Sequence, residues 1–316
     1  MGSHVAIFVI ALVVGLVSGP LIIPILRRLK FGQEIREEGP SWHNKKSGTP
    51  TMGGVIFILA VFVGCVAVYW RDFKVIMLLY LSLAFGAIGF IDDFIKVKMK
   101  RNLGLTEIQK LLMQIVASVI FVGILYINGV LPTVLLIPFT HIQFQMGIWY
   151  LPFAVLVIIA GVNAVNLTDG IDGLATSVSA VVMLFFYAAG KALQNSTAGF
   201  SIAVVGGCLA FLWFNKHPAK VFMGDTGSLF LGGAVAGVAV ISGMPLFLLI
   251  AGGIYVIETA SVILQVGSFK LTGKRLFKMS PIHHHFEMCG WSEWKIVGVF
   301  STVSVILGVL AYLGIR

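Results

Sequence analysis

Ten stretches of this sequence are too long and too apolar to face water: residues 5–26, 52–70, 74–95, 108–128, 149–166, 174–190, 199–214, 227–243, 245–267 and 295–315. A helix needs about 20 mostly apolar residues to cross the hydrocarbon core of a bilayer, where its backbone groups must pair among themselves. The expectation is an all-α polytopic membrane protein with about ten transmembrane helices, forming a single integral membrane domain over residues 1–316. Only 11% of the residues are charged, where a soluble domain carries about 25%. Cys65, Cys208 and Cys289 show no CxxC spacing and two of them lie inside apolar runs, which argues against a disulfide framework or a zinc site. The first run extends too far for a cleavable signal peptide and ends in "RRLK", so it reads as a retained membrane helix.

An even number of crossings puts both termini on one side. Lysine and arginine decide which: six fall in 27–46, five in 96–110, two in 215–220 and five in 270–295, against Arg71, Lys74, Lys191 and Arg316 elsewhere. By the positive-inside rule the four rich segments are cytoplasmic and both termini lie on the outer side. Topology alone explains that basic bias and most of the +9 net charge. It does not explain the acids. Asp72 stands alone on the outer side, while Asp92, Asp93, Glu107, Asp169, Asp172, Asp225, Glu287 and Glu293 all fall at or near the inner one. The inner face is therefore expected to be the working face, with a basic field that attracts phosphorylated substrates.

Four constellations carry the chemistry. In "GFIDDF" (89–94), Asp92 and Asp93 end the third run, and neighbours on a helix point about 100° apart. They are expected to flank a site rather than serve one point, one binding a metal while the other accepts a proton; the plainer reading is a carboxylate pair neutralised by Lys96 and Lys98. In "GVNAVNLTDGIDGLA" (161–175), Asn163, Asn166, Asp169 and Asp172 recur every third residue, and Gly170 and Gly173 favour a break that returns the last two acids towards one centre. The plainer reading is mutual hydrogen bonding across the bundle. In "FMGDTGSL" (222–229), Asp225, Thr226 and Ser228 could cap the next helix, whose free N–H groups would suit an anion. Carboxylates gathered near phosphates point to Mg²⁺. In "SPIHHHFE" (280–287), three consecutive imidazoles fit no zinc spacing and could instead bind phosphate or sugar groups. A weaker basic stretch, "HNKKSGTPTMGG" (43–54), could touch phosphate or merely flank a helix. Glu258, deep in the ninth run, is a functional candidate by default, with a hydrogen-bonded role in shaping its helix as the simpler account.

Taken in order, "GTPTMGG", "GFIDDF", "NAVNLTDGIDGLA", "FMGDTGSL" and "PIHHHFE" resemble the phospho-N-acetylmuramoyl-pentapeptide transferase family, a branch of the polyprenyl-phosphate N-acetylhexosamine-1-phosphate transferase superfamily. The likeness runs along almost the whole chain. It implies transfer of phospho-N-acetylmuramoyl-pentapeptide from UDP-N-acetylmuramoyl-pentapeptide to undecaprenyl phosphate, giving lipid I and UMP for peptidoglycan. It also implies Mg²⁺ as cofactor, a homodimer in the membrane lipid, no nucleic-acid partner, and a bacterial inner-membrane location with the site facing the cytoplasm. Carried over by position, Asp92, Asp93 and Asp225 are the catalytic acids, with Asp225 the foremost metal ligand and Asp92 and Asp93 further candidates. Lys46, Thr51, Lys110, Asn163, Asn166, Asp169, Asp172, Asn215, Phe222, Ser228, His283, His284 and His285 are the substrate-binding candidates. Direct attack by the lipid phosphate, with Asp92 or Asp93 orienting or deprotonating it, stands beside a covalent aspartyl-phosphate route.

Three other readings compete. A sister branch of the superfamily uses UDP-N-acetylglucosamine. An intramembrane aspartyl protease also places acids on separate helices, but its GxGD signature fails where position 222 is Phe. A cation-coupled transporter predicts acids at mid-membrane, where only Glu258 lies.

Overall fold

The computed structural model describes residues 2–29, 48–99, 104–140 and 142–315. Its long helices are α1 (Gly2–Arg28), α2 (Gly54–Tyr69), α3 (Phe73–Lys98), α4 (Glu107–Ile127), α5 (Tyr150–Thr168), α6 (Leu174–Ala192), α7 (Thr197–Asn215) and α8 (Gly224–Ile241). Then follow the short α9 (Pro245–Ala251), α10 (Gly253–Thr272), the short α11 (Ile282–Met288) and α12 (Glu293–Leu313). Among the described residues, nine helices are long and apolar enough to cross a bilayer. The 16-residue α2 is equally apolar but spans only about 24 Å at 1.5 Å per residue.

Local chemistry sets the ends of these helices. Asp72 starts α3 by accepting the Val75 N–H at 3.1 Å. Thr106 and Gln109 form a reciprocal capping box at the start of α4, and Ser292 caps α12. The break expected near Gly170 and Gly173 is present: α5 stops at Thr168 and α6 begins at Leu174, after Gly173 turns the chain at φ 81°. The ninth apolar run departs from expectation. It is two helices, α9 and α10, parted at Gly252 beside Gly253, where paired glycines give no side-chain packing to hold one axis.

The bundle is built around α8. Every residue from Thr226 to Ile241 is buried, and its Gly and Ala residues let α3, α5 and α2 approach closely. The closest approach is at Gly89 of α3, where an added Cβ would lie 2.0 Å from the Asp225 carbonyl oxygen. By contrast α1, α10 and α12 bury under half of their length and turn Leu, Ile and Val outward. No water needs excluding from that side of a membrane helix. The 129–148 segment, undiagnostic in sequence, forms an antiparallel hairpin of β1 (Val134–Leu136) and β2 (Gln143–Gln145). Backbone bonds from Leu136 to Gly243 and from Phe139 to Gly314 tie it to the C-terminal ends of α8 and α12. The opposite end of the bundle gathers the ends of α3, α5, α7 and α10 with the starts of α4, α6, α8 and α12, and the aspartate, asparagine and histidine motifs lie at that end.

Candidate active site

The acidic centre joins α3 to α8. Asp93 points both carboxylate oxygens at the start of α8: Oδ1 accepts from the Asp225 N–H at 3.2 Å, and Oδ2 from the Thr226 N–H at 2.9 Å and the Thr226 hydroxyl at 2.7 Å. Free N–H groups at a helix start carry partial positive charge, so a carboxylate is the natural cap. This corrects one expectation: Asp225, Thr226 and Ser228 do not cap α8, which begins at Gly224 with no capping side chain of its own. The cap arrives from another helix, and the N–H groups expected to suit a substrate anion are taken. Gly224 makes room for it, with φ 68° and a notional Cβ only 2.4 Å from Asp93 Oδ2 and 2.7 Å from the Thr51 hydroxyl.

Asp225 itself faces the site. Its Oδ2 accepts from Lys110 at 2.7 Å and Lys96 at 3.0 Å, and its Oδ1 from the Asn166 amide at 2.9 Å. The same Asn166 amide donates to Ser228 at 2.7 Å. Asp92, almost fully buried, accepts from the Leu105 N–H at 2.8 Å and pairs through Oδ2 with Lys96 and, at 3.5 Å, Lys110. Two ammonium groups are thus shared between two carboxylates of different helices. Lys98, the other suggested neutraliser, instead lies 5.8 Å over the Phe94 ring.

One oxygen each of Asp92, Asp93 and Asp225 lies within 4.8 Å of the others, closer than a spacing of 100° on one helix suggested. The donor set is all hard oxygen, which fits Mg²⁺ held by one or two carboxylates with phosphate and water completing the shell. Asp93 is spent on α8. Asp225 and Asp92 are left as the pair that could hold a cation, and Asp92 Oδ2 lies against the Lys96 and Lys110 ammonium groups.

One turn deeper, Asn163 donates to Gln114 at 2.9 Å and to the Ile159 carbonyl at 2.8 Å. Gln114 is buried four residues beyond Lys110 on α4, and the sequence reading missed it although that spacing puts both on one face.

The turn between α5 and α6 brings two more acids to this end. Burial, with the charges of Asp225, Asp93 and Asp172 adding, pushes the Asp169 carboxyl up to about 8. Asp172 accepts from His217 Nδ1 at 2.9 Å and the Ala219 N–H at 3.0 Å, and its own N–H donates to Glu293 at 3.1 Å. These contacts clamp the turn to the α7–α8 connection and to the start of α12. The same connection is held by Asn215, which accepts from Thr176 at 2.9 Å and donates to the Val221 carbonyl at 3.0 Å. Asn215 is buried with its amide occupied, so it braces the site from behind. Phe222 exchanges backbone bonds with Pro50 and Gly53, which places buried Thr51 against the same connection. Lys46 lies outside the described residues.

The histidine triplet divides. His283 is fully buried, with Nδ1 3.0 Å from Glu258 Oε1. His284 Nδ1 lies 2.6 Å from Glu287 Oε2, and His285 Nδ1 accepts the Lys278 N–H at 3.2 Å. Gln265 of α10 holds the loop before them, accepting from Leu276 and Phe277 N–H groups and donating to the Phe277 carbonyl. The fold thus gives the three imidazoles different neighbours, with His283 buried against α10 and His284 and His285 held within their own loop.

Acids and lysines at the end of a membrane bundle, meeting across α3, α4, α5 and α8, define an enzyme that handles phosphates at a membrane surface. The glycosyl transferase family 4 model matches residues 75–243, which carry all of this acidic centre, and the chain belongs to that family. A second match, to the phospho-N-acetylmuramoyl-pentapeptide-transferase signature 1, covers residues 46–58. The phospho-N-acetylmuramoyl-pentapeptide-transferase of Bacillus subtilis (strain 168) is 49% identical over 317 residues, 98% of each chain. That of Clostridium beijerinckii is 53% identical over 304 residues, covering 95% of this chain and 93% of its own. Within the wider family, then, this chain is a member of the phospho-N-acetylmuramoyl-pentapeptide-transferases, bacterial multi-pass membrane proteins.

Proposed function

We propose that the protein transfers phospho-N-acetylmuramoyl-pentapeptide from UDP-N-acetylmuramoyl-pentapeptide to undecaprenyl phosphate, giving lipid I and UMP, at the cytoplasmic face of the bacterial inner membrane. The observation that carries this is Asp225, held by Lys96, Lys110 and Asn166 where α3, α4, α5 and α8 meet at the bundle's end. A lipid phosphate reaches that point from the bilayer and a nucleotide sugar from water. Most lysines and arginines belong to segments at this end, which supports its facing the cytoplasm with both termini opposite. A homodimer is part of the same reading.

In the reaction, an oxygen of the lipid phosphate forms a bond to the sugar-side phosphorus as the bond from that phosphorus to the bridging oxygen breaks, and that oxygen leaves with UMP. Both substrates are anionic, so fixed positive charge is the main thing the site must supply. Lys96 and Lys110 supply it and are already oriented by Asp92 and Asp225. In this reading Asp92 orients the lipid phosphate through Lys96 and Lys110, and Asn166 keeps Asp225 in register. Mg²⁺, held by Asp225 with Asp92, would add charge neutralisation and Lewis acidity at the diphosphate. Asp169, Asp172 and His284 stand at the same end as candidates for the nucleotide sugar, with Thr51, Asn215 and Phe222 shaping the wall behind.

The test is UMP release by purified protein given undecaprenyl phosphate and either UDP-N-acetylmuramoyl-pentapeptide or UDP-N-acetylglucosamine, before and after chelation. Release from the muramoyl substrate alone, abolished by chelator and restored by Mg²⁺, is expected. Release from the other sugar alone would overturn the substrate assignment, and release unaffected by chelation would overturn the metal. A phosphorylated aspartate trapped during turnover would replace direct attack by the covalent route.

A further inference from the structure

Glu258 is an acid in the membrane-crossing helix α10, fully buried, and neither of its carboxylate oxygens makes a hydrogen bond among the described residues. An acid in the middle of a membrane helix is costly to bury, about 2.5–3.5 kcal/mol on insertion scales, which makes Glu258 a candidate for a role beyond packing. Among the described residues its Oε1 lies 3.0 Å from His283 Nδ1, an ion-pair distance without the alignment of a hydrogen bond. The other end of that imidazole abuts the turn between α5 and α6. A Cβ added to Gly170 would lie 2.1 Å from His283 Nε2 and 2.7 Å from Cε1. Gly170 sits between Asp169 and Asp172, the two acids of the turn. The imidazole is therefore a strut with a carboxylate at one end and the turn at the other.

We infer that Glu258 and His283 are positioning residues for the turn that presents Asp169 and Asp172 to the nucleotide sugar, coupling the lipid-exposed helix α10 to that turn. His283 touches no substrate from its buried place; it sets how far the turn stands from α10. Glu258 fixes the ring's orientation, as carboxylates commonly do for a functional imidazole. Gly170 is required because no larger residue leaves the ring its seat. The inference rests on the transferase reading above.

The test compares KM for each substrate separately. Glu258→Leu is expected to raise KM for the nucleotide sugar by about tenfold or more, the scale of lost orienting contacts, with KM for the polyprenyl phosphate unchanged. Glu258→Gln, which keeps a carbonyl oxygen for Nδ1, restores most of that loss. Leaving one partner of a buried pair alone can unfold a protein, so the decisive variant replaces both, Glu258→Leu with His283→Phe. Apolar replacement of a whole buried pair is often neutral or stabilising. That double variant should keep the wild-type thermal midpoint and still show the raised nucleotide-sugar KM. Gly170→Ala, approaching the strut from its other end, should give the same signature. Wild-type KM in the double variant would overturn the inference, as would equal changes in both KM values. An inactive wild-type protein would instead overturn the transferase reading.

Discussion

Asp93 is the acid whose role the structure separates most sharply from its neighbour's, and Asp93→Asn tests the separation. Its carboxylate receives three donors: the Asp225 and Thr226 N–H groups and the Thr226 hydroxyl. The amide of Asn keeps one accepting oxygen but sets an NH₂ against the remaining donor. A stranded buried donor costs about 1–3 kcal/mol, and losing charge from the surviving bonds costs about another 1 kcal/mol. Removing the negative charge from the helix start adds about 0.3–1 kcal/mol. The expected destabilisation is about 3–4 kcal/mol, a fall of roughly 6–16 °C at the 2–4 °C per kcal/mol seen for domains of 150–250 residues. Thr226→Ala removes the hydroxyl donor together with the buried γ-methyl and should cost about 2 kcal/mol. Thermal unfolding in detergent, followed by tryptophan fluorescence, reads the midpoint. Mg²⁺ titration of turnover well below that midpoint reads the metal. Half-saturation by Mg²⁺ should stay at the wild-type value. A midpoint within about 2 °C of wild type, together with a much raised Mg²⁺ requirement, would refute the cap and make Asp93 a ligand.

Two further outcomes follow from the same geometry. Lys110→Ala removes the closest ammonium from Asp225 and should lower kcat about a hundredfold, the usual scale for one preorganised electrostatic group; Lys110→Arg should recover little, because a planar fork does not reproduce a point charge shared by two carboxylates. Asp169, with its carboxyl raised to about 8, is mostly protonated at neutral pH, so the folded state holds a proton the unfolded chain releases near pH 4. Stability should therefore decline as pH rises from about 4 through 8 and level off above, and Asp169→Asn should flatten that part of the profile, read as thermal midpoints across pH.

Much of this architecture is legible in the order of residues, because a bilayer imposes a length on each apolar run and a penalty on each acid at its end. That is why 74–95 and 227–243 read as crossings, and why Asp92, Asp93 and Asp225 stand out as candidates in the sequence alone. The turn at Gly170–Gly173 was readable for a similar reason, since glycine is the residue that turns cheaply. What sequence spacing cannot supply is the partner on another helix. On α3 alone, Asp92 and Asp93 are simply two carboxylates about 100° apart. Only the close approach of α8 at Gly89 makes one a cap for Thr226 and leaves the other to share Lys96 and Lys110 with Asp225. The histidines show the same limit. Three in a row are equivalent in the sequence, yet the short α11 sends His283 inward to Glu258 and turns His284 to Glu287. Residue type and period are properties of a single segment, whereas charge pairing and burial belong to the space between segments, and that space exists only once the helices have packed.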